Sequence, residues 1–159
     1  KDAAAKGMPV LGICNGFQML VEAHLLPGGL IRNAHQQFIR RDQRLRVENA
    51  TTAWTSQFTQ GQEITIPLKN ADGGYICSSD TLARIEGEGL VAFRYVGVNP
   101  NGSLDDIAGI CDPSGVVLGL MPHPENHISS RQHPRHVRGD SGRLGLRLFE
   151  AGVAHAKEL

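Results

Sequence analysis

Cysteine is scarce, with three in the whole chain. An odd and sparse set excludes a disulfide framework and suggests a reducing, cytoplasmic setting. Charge of one sign is also missing. Lys plus Arg and Asp plus Glu number 16 each, so no global field recruits nucleic acid or an acidic membrane. The halves hide no imbalance: residues 1–80 hold 8 basic and 7 acidic groups, and residues 81–159 hold 8 and 9. No apolar run approaches a membrane span, and no signal peptide is visible. The chain opens Lys1-Asp2-Ala3, without an initiator Met. What is present is 159 residues of 17.2 kDa, 40% hydrophobic and 20% charged. That composition fits one sizeable core and a single domain over 1–159.

Residues 2–6 read as the tail of a helix stopped by Gly7. Met8 to Ile13 is apolar without alternation, as expected of a strand buried on both faces of a parallel sheet. From Gly16 to Leu26 the apolar spacing is helical, with Pro27-Gly28-Gly29 as the stop. Helix, strand, helix is the opening of a parallel α/β unit. The middle changes to strands at Gln37–Glu48, Gln62–Leu68 and Leu90–Val96, with a short helix capped by Ser79 or Asp80 and stopped at Gly87. Ile107–Cys111 and Val116–Met121 read as a hairpin around Asp112-Pro113-Ser114-Gly115. Residues 126–143 are a polar loop rich in His and Arg. A last helix is expected from Ser141 to Lys157, burying Leu144, Leu148 and Phe149.

Gly12-Ile13-Cys14-Asn15-Gly16 lies between the expected strand and helix. A sharp turn there would hold a nucleophile at the strand's carboxyl end, with small residues two before and two after because strand and helix approach closely. A thiol at a helix N-terminus is favoured as thiolate, and the Asn15 amide points where an oxyanion would form. Met121-Pro122-His123-Pro124-Glu125 follows an apolar run. In an extended segment residues i and i+2 share a side, so Glu125 can hold one ring nitrogen of His123 and leave the other for the Cys14 proton. Cys14, His123 and Glu125 thus make a candidate triad.

Other residues carry less. Cys77 and Cys111 read as small buried hydrophobes. His123, His127, His133 and His136 match no compact zinc spacing, so no metal is expected. Arg131, Arg135, Arg138, Arg143 and Arg147 against Asp140 leave a local excess of positive charge, either a solvated face or a docking or phosphate contact. Arg40, Arg41, Arg44 and Arg46 lie in a strand-like segment with few aromatics, without a nucleic-acid-binding module.

The stretches Gly12 to Gln18 and His123-Pro124-Glu125 resemble the two catalytic motifs of class I glutamine amidotransferases. Arg32-Asn33, Arg46-Val47-Glu48-Asn49, Phe93 to Val96, Asn99 to Ile110 and Gly119 to Glu125 resemble the glutaminase subunits of phosphoribosylformylglycinamidine synthases. Where that family commonly shows His-Gly-Glu-Gly, this chain has Asn70-Ala71-Asp72-Gly73-Gly74. The resemblance implies an α/β fold: a doubly wound, mostly parallel, flavodoxin-like sheet with added antiparallel strands. It implies L-glutamine hydrolysis to glutamate and ammonia through a Cys14 thioester, with Asn15 at the oxyanion and Gln18 in the glutamine pocket. Ammonia would pass to a synthetase subunit, with a small accessory subunit in the same complex. ATP and magnesium would belong to the synthetase, leaving this chain without a cofactor. The family also has early strands and a Gly-rich loop bearing a second oxyanion donor, for which no counterpart stands in this sequence; a fragment, weak or inactive alone, is expected. Two alternatives are a Cys hydrolase of γ-glutamyl or peptide bonds and a non-catalytic docking fragment.

Overall fold

A computed structural model describes residues 1–133, 136–139 and 145–159. In chain order the elements are α1 (Asp2–Ala5), β1 (Val10–Ile13), α2 (Asn15–Glu22), β2 (Gly29–Ile31), β3 (Ile39–Val47), β4 (Glu63–Asn70) and β5 (Gly74–Ile76). Next come α3 (Ser79–Gly87), β6 (Val91–Tyr95), β7 (Ile107–Cys111), β8 (Val117–Leu120) and α4 (Leu146–Ala156). Six strands form one sheet in the order β1-β8-β7-β6-β3-β4, and β2 pairs with β5 in a separate ribbon. The α/β class expected from the sequence is the one observed. Within this chain its parallel part is the single β1–β8 pair among the described residues, and every other strand pairing there is antiparallel. No helix among the described residues is long and apolar enough to cross a membrane.

The strands form where the sequence alternates or runs apolar. On β4, Ile64, Ile66, Leu68 and Asn70 are buried while Thr65, Pro67 and Lys69 are half-buried, the period-two signature of a sheet with one packed face. On β7 and β8 every residue is buried, as a strand with neighbours on both sides and both faces requires. Strand β1 differs from the reading of full burial, because Val10, Leu11 and Ile13 are only half-buried and the strand pairs on one side alone. Phe17 of α2 stacks on Tyr75 of β5 with ring centroids 6.1 Å apart, joining the elbow helix to the ribbon through the core.

Three boundaries differ from the sequence reading, each for a local reason. Helix α2 ends at Glu22, four residues before the expected stop. His24 adopts φ 55°, its N–H donates to the Val21 carbonyl, and the Leu25 N–H donates to that of Leu20 at 2.9 Å. This paired reversal terminates the helix without glycine. The α3 cap is Ser78, whose hydroxyl accepts the Thr81 N–H at 3.2 Å, which places Ser79 and Asp80 inside the first turn. Helix α4 buries Leu148 and half-buries Phe149; the expected start at Ser141 and the burial of Leu144 lie outside the described residues.

Close approach of β1 and α2 decides one glycine and not the other. A Cβ on Gly12 would stand 2.6 Å from the Gly16 carbonyl oxygen and 2.4 Å from the Leu20 side chain. A Cβ on Gly16 would meet nothing within 4 Å, contrary to the expectation that both flanking positions must be small. Gly12→Ala should therefore destabilise the protein by about 1–3 kcal/mol, because backbone cannot yield as a side chain can. Gly16→Ala should be neutral or mildly stabilising, given the better helix propensity of alanine. Urea unfolding of both variants separates the cases; equal loss in both would refute the steric account.

Candidate active site

Cys14 occupies the turn between β1 and α2 with φ 54° and ψ −106°, a conformation that costs a non-glycine residue energy. Its N–H donates to the Leu120 carbonyl at 2.9 Å, which pins the elbow to the end of β8. Asn15 is the first residue of α2, so its N–H lacks an intrahelical acceptor and is free to meet an anion beside the sulfur. The Asn15 side-chain oxygen lies 3.9 Å from the sulfur.

His123 and Glu125 reach the site along the outer edge of β4. Among the described residues that edge has no strand beside it in the sheet, and its carbonyls are taken up by the segment that follows β8. The His123 N–H donates to the Pro67 carbonyl at 2.7 Å, its Nε2 to that of Lys69 at 3.2 Å, and His127 Nδ1 to that of Thr65 at 2.9 Å. Proline is tolerated at position 67 because an edge strand loses no ladder bond there. The segment 124–127 is a 3-10 turn that opens on Pro124, whose ring suits the first helical position. From the other side α4 closes on it: a Cβ on Gly145 would stand 2.1 Å from the Pro124 carbonyl oxygen, and the Gly145 N–H donates to the His127 carbonyl.

The carbonyl of Lys69 is the meeting point. It lies 3.9 Å from Cys14 Sγ and 3.2 Å from His123 Nε2, so the elbow and the histidine converge on one oxygen. His123 Nδ1 donates to Glu125 Oε1 at 2.6 Å, and Asn126 Nδ2 donates to the same oxygen at 3.0 Å. A carbonyl and a carboxylate can only accept, so the form of the ring that satisfies both contacts is the imidazolium, with hydrogen on each nitrogen. Burial alone would lower the His123 pKa. Hydrogen bonding and charge attraction from Cys14 and Glu125 outweigh it and raise it to about 9. Burial likewise opposes ionisation of Glu125, but the His123 bond, a backbone N–H and the nearby charge of Lys69 hold its carboxyl below the ordinary value.

Gln18, expected in a substrate pocket, donates from Nε2 to the Asp72 carbonyl at 2.9 Å. It ties the elbow helix to the loop after β4. Buried Asn33 and Asn101 hold the same loop: Asn33 Oδ1 accepts the Gly73 N–H at 3.1 Å, and Asn101 Nδ2 donates to the Gly73 carbonyl at 2.8 Å. Neither residue stood out as chemistry in the sequence, because their work is done on backbone groups. Asn70, next to the shared carbonyl and buried, has both side-chain polar atoms without a partner among the described residues. Gln132, also unremarked in the sequence, accepts the N–H groups of Ile128 and Ser129 and donates to the Glu125 carbonyl at 3.1 Å.

The remaining candidates separate from the site. Cys111 is buried as expected, and burial pushes its thiol up to about 11; Cys77 is half-buried, short of the expected full burial, and its partial burial raises its thiol as well. Among the described residues no three His, Cys, Asp or Glu groups gather as metal ligands. Arg135, Asp140 and Arg143 of the expected basic surface lie outside the described residues.

With this geometry in place, comparison with known proteins defines the class. Residues 3–156 match the family of CobB/CobQ-like glutamine amidotransferase domains, and the chain belongs to that family. More particular likeness is to phosphoribosylformylglycinamidine synthase subunit PurQ. The chain is 65% identical to that of Leifsonia xyli over 153 residues, covering 96% of this chain and 66% of the relative. It is 64% identical to that of Streptomyces coelicolor over 129 residues, covering 81% and 57%. A solved structure of PurLQS from Thermotoga maritima superimposes with a TM-score of 0.81 at 35% identity, over 97% of this chain and 65% of that one. The chain thus spans about three fifths of the length of the curated relatives it matches.

The ion pair sets a pH dependence. Raising the His123 pKa from 6.5 to about 9 contributes stability that is complete below 6.5 and lost as pH rises through 9. The depressed Glu125 contributes above its unfolded value of 4.5 and fades as pH falls through its folded one. The pair is therefore at full strength between about pH 4.5 and 6.5. Thermal unfolding from pH 6.5 to 10 should show a steeper decline for the parent than for His123→Gln. Parallel curves would contradict the assignment of the shift to this contact.

Proposed function

We propose that this chain is the glutamine-hydrolysing part of a phosphoribosylformylglycinamidine synthase. The observation that carries the reading is the convergence of the elbow sulfur and the His123–Glu125 pair on the Lys69 carbonyl. The catalytic roles of Cys14, His123 and Glu125 belong to this proposal, as do those of Asn15 and Gln18.

In this reading the Cys14 thiolate attacks the side-chain amide carbon of L-glutamine. The Asn15 N–H, unbonded within α2, meets the oxyanion of the tetrahedral intermediate. The His123 imidazolium gives its proton to the departing nitrogen, and ammonia leaves as the thioester forms. Neutral His123 then takes a proton from water, whose oxygen attacks the thioester. Collapse releases glutamate and restores the thiolate–imidazolium pair. Glu125 keeps the ring oriented and stabilises its charged state throughout. Gln18 acts through the 70–74 loop, forming the pocket wall by its bond to Asp72.

Ammonia passes to a synthetase subunit that uses ATP and magnesium, with a small accessory subunit in the complex; this chain itself takes no cofactor. The likeness to PurQ subunits and to the Thermotoga maritima PurLQS structure supports this partnership. Three free thiols support a cytoplasmic setting.

The test is Cys14→Ala in the protein at its natural length, assembled with its synthetase. Glutamine-dependent amidine formation should fall by about three orders of magnitude or more, while ammonia-dependent formation survives. Equal survival of both activities would remove Cys14 from the mechanism.

A further inference from the structure

Strand β3 carries four arginines that fall into two different environments. Arg44 pairs with Glu63 at 3.3 Å, and Arg46 pairs with Glu48. Arg40 and Arg41 lie beyond the point where β6 stops pairing with β3, and neither has an ion pair among the described residues. Arg40 instead stands directly across the antiparallel pair from Lys69. Like charges in opposed positions destabilise a sheet. Glu125 offsets part of the Lys69 charge, and an anion at Arg40 and Arg41 would relieve what remains.

A groove of about 410 Å³ opens at this corner. Arg40, Arg41 and Lys69 line it together with Asn126 and Gln132, and Asp42 is the acidic residue on its wall. Asn126 and Gln132 are the side chains that hold Glu125, and the Lys69 carbonyl is the oxygen shared by Cys14 and His123. The groove thus adjoins the catalytic turn. Two residues before Arg40, the ring of Phe38 is 65% exposed. An exposed aromatic beside arginines is the composition enriched at the centres of protein–protein interfaces, and a site for a small free anion has no use for it.

We propose that the corner formed by Phe38, Arg40, Arg41 and Lys69 is a docking site for an acidic segment of the subunit that accepts ammonia. The proposal rests on the glutaminase reading, which requires the acceptor to cover the mouth of the Cys14 site. A partner seated here would touch the catalytic turn through Lys69 and Asn126, so assembly would bear directly on the triad. Charge attraction at this corner would speed encounter and make assembly sensitive to salt.

The experiment reverses the charge. Arg40→Glu with Arg41→Glu, in the protein at its natural length, is titrated with the synthetase by calorimetry at low and at high salt, about 50 and 300 mM, which brackets the range over which screening of exposed charges changes most. The dissociation constant should rise at least tenfold at low salt, and the salt dependence should shrink. Glutamine-dependent synthesis should recover with excess synthetase, and ammonia-dependent synthesis should be unchanged. Arg40→Gln with Arg41→Gln should move in the same direction by less, which covers the case in which reversal perturbs folding. An unchanged dissociation constant overturns the docking site while leaving the glutaminase reading, which Cys14→Ala tests separately. A raised KM for glutamine with unchanged assembly also overturns it and makes the corner part of the substrate pocket.

Discussion

The outer edge of β4 is the constraint on which the rest depends. An edge strand presents carbonyls that must find partners, and here three of them find the segment that carries the histidine. Thr65, Pro67 and Lys69 hold His127, the His123 backbone and the His123 ring in turn. A sheet edge is rigid over this distance, so the ring is placed by the sheet itself. The distance between the Cys14 sulfur and the His123 ring is then a property of the sheet order β1-β8-β7-β6-β3-β4, which sets β1 and β4 at opposite ends. Twist and curvature of the intervening strands bring those ends to one oxygen.

The elbow is the second fixed point. Cys14 adopts a positive φ where β1 passes into α2, and the two elements approach closely on the Gly12 side of the turn and not on the Gly16 side. Strain at Cys14 is offset by the bond from its N–H to β8 and by Phe17 in the core. The same turn opens α2 at Asn15 and leaves the Asn15 N–H without an intrahelical acceptor. A change that relaxed the elbow would therefore move the Cys14 sulfur.

Around these points lies a layer of buried and half-buried amides whose partners are mostly backbone groups. Asn33 and Asn101 clamp the loop that Gln18 also touches, and Asn99 Oδ1 accepts the N–H groups of Gly102 and Ser103. Each would be costly if left unpaired, so the 70–74 loop has one arrangement that satisfies them together. Asn70 departs from this pattern: beside the shared carbonyl, its polar atoms have no partner among the described residues.

The sequence by itself determined the α/β class, most strand positions and which side chains are candidates for the triad. Strand and helix periods are local, and a cysteine in a Gly-x-Cys-x-Gly turn or a histidine two residues from a glutamate differs from its surroundings in side-chain type. Tertiary structure decided what side-chain type does not encode. The Lys69 carbonyl is a backbone atom that any residue would supply, and His127 matters through its place on an edge. Gln132 is a local exception, a capping-box partner of Ser129 three residues away that also reaches back to the Glu125 carbonyl. The end of α2 at His24 and the cap at Ser78 turned on which of several competing backbone bonds formed, a choice made by packing. Arg40 and Arg41 read in the sequence like Arg44 and Arg46. Folding gives Arg44 the carboxylate of Glu63 on β4 and Arg46 that of Glu48, and it sets Arg40 across from Lys69 instead.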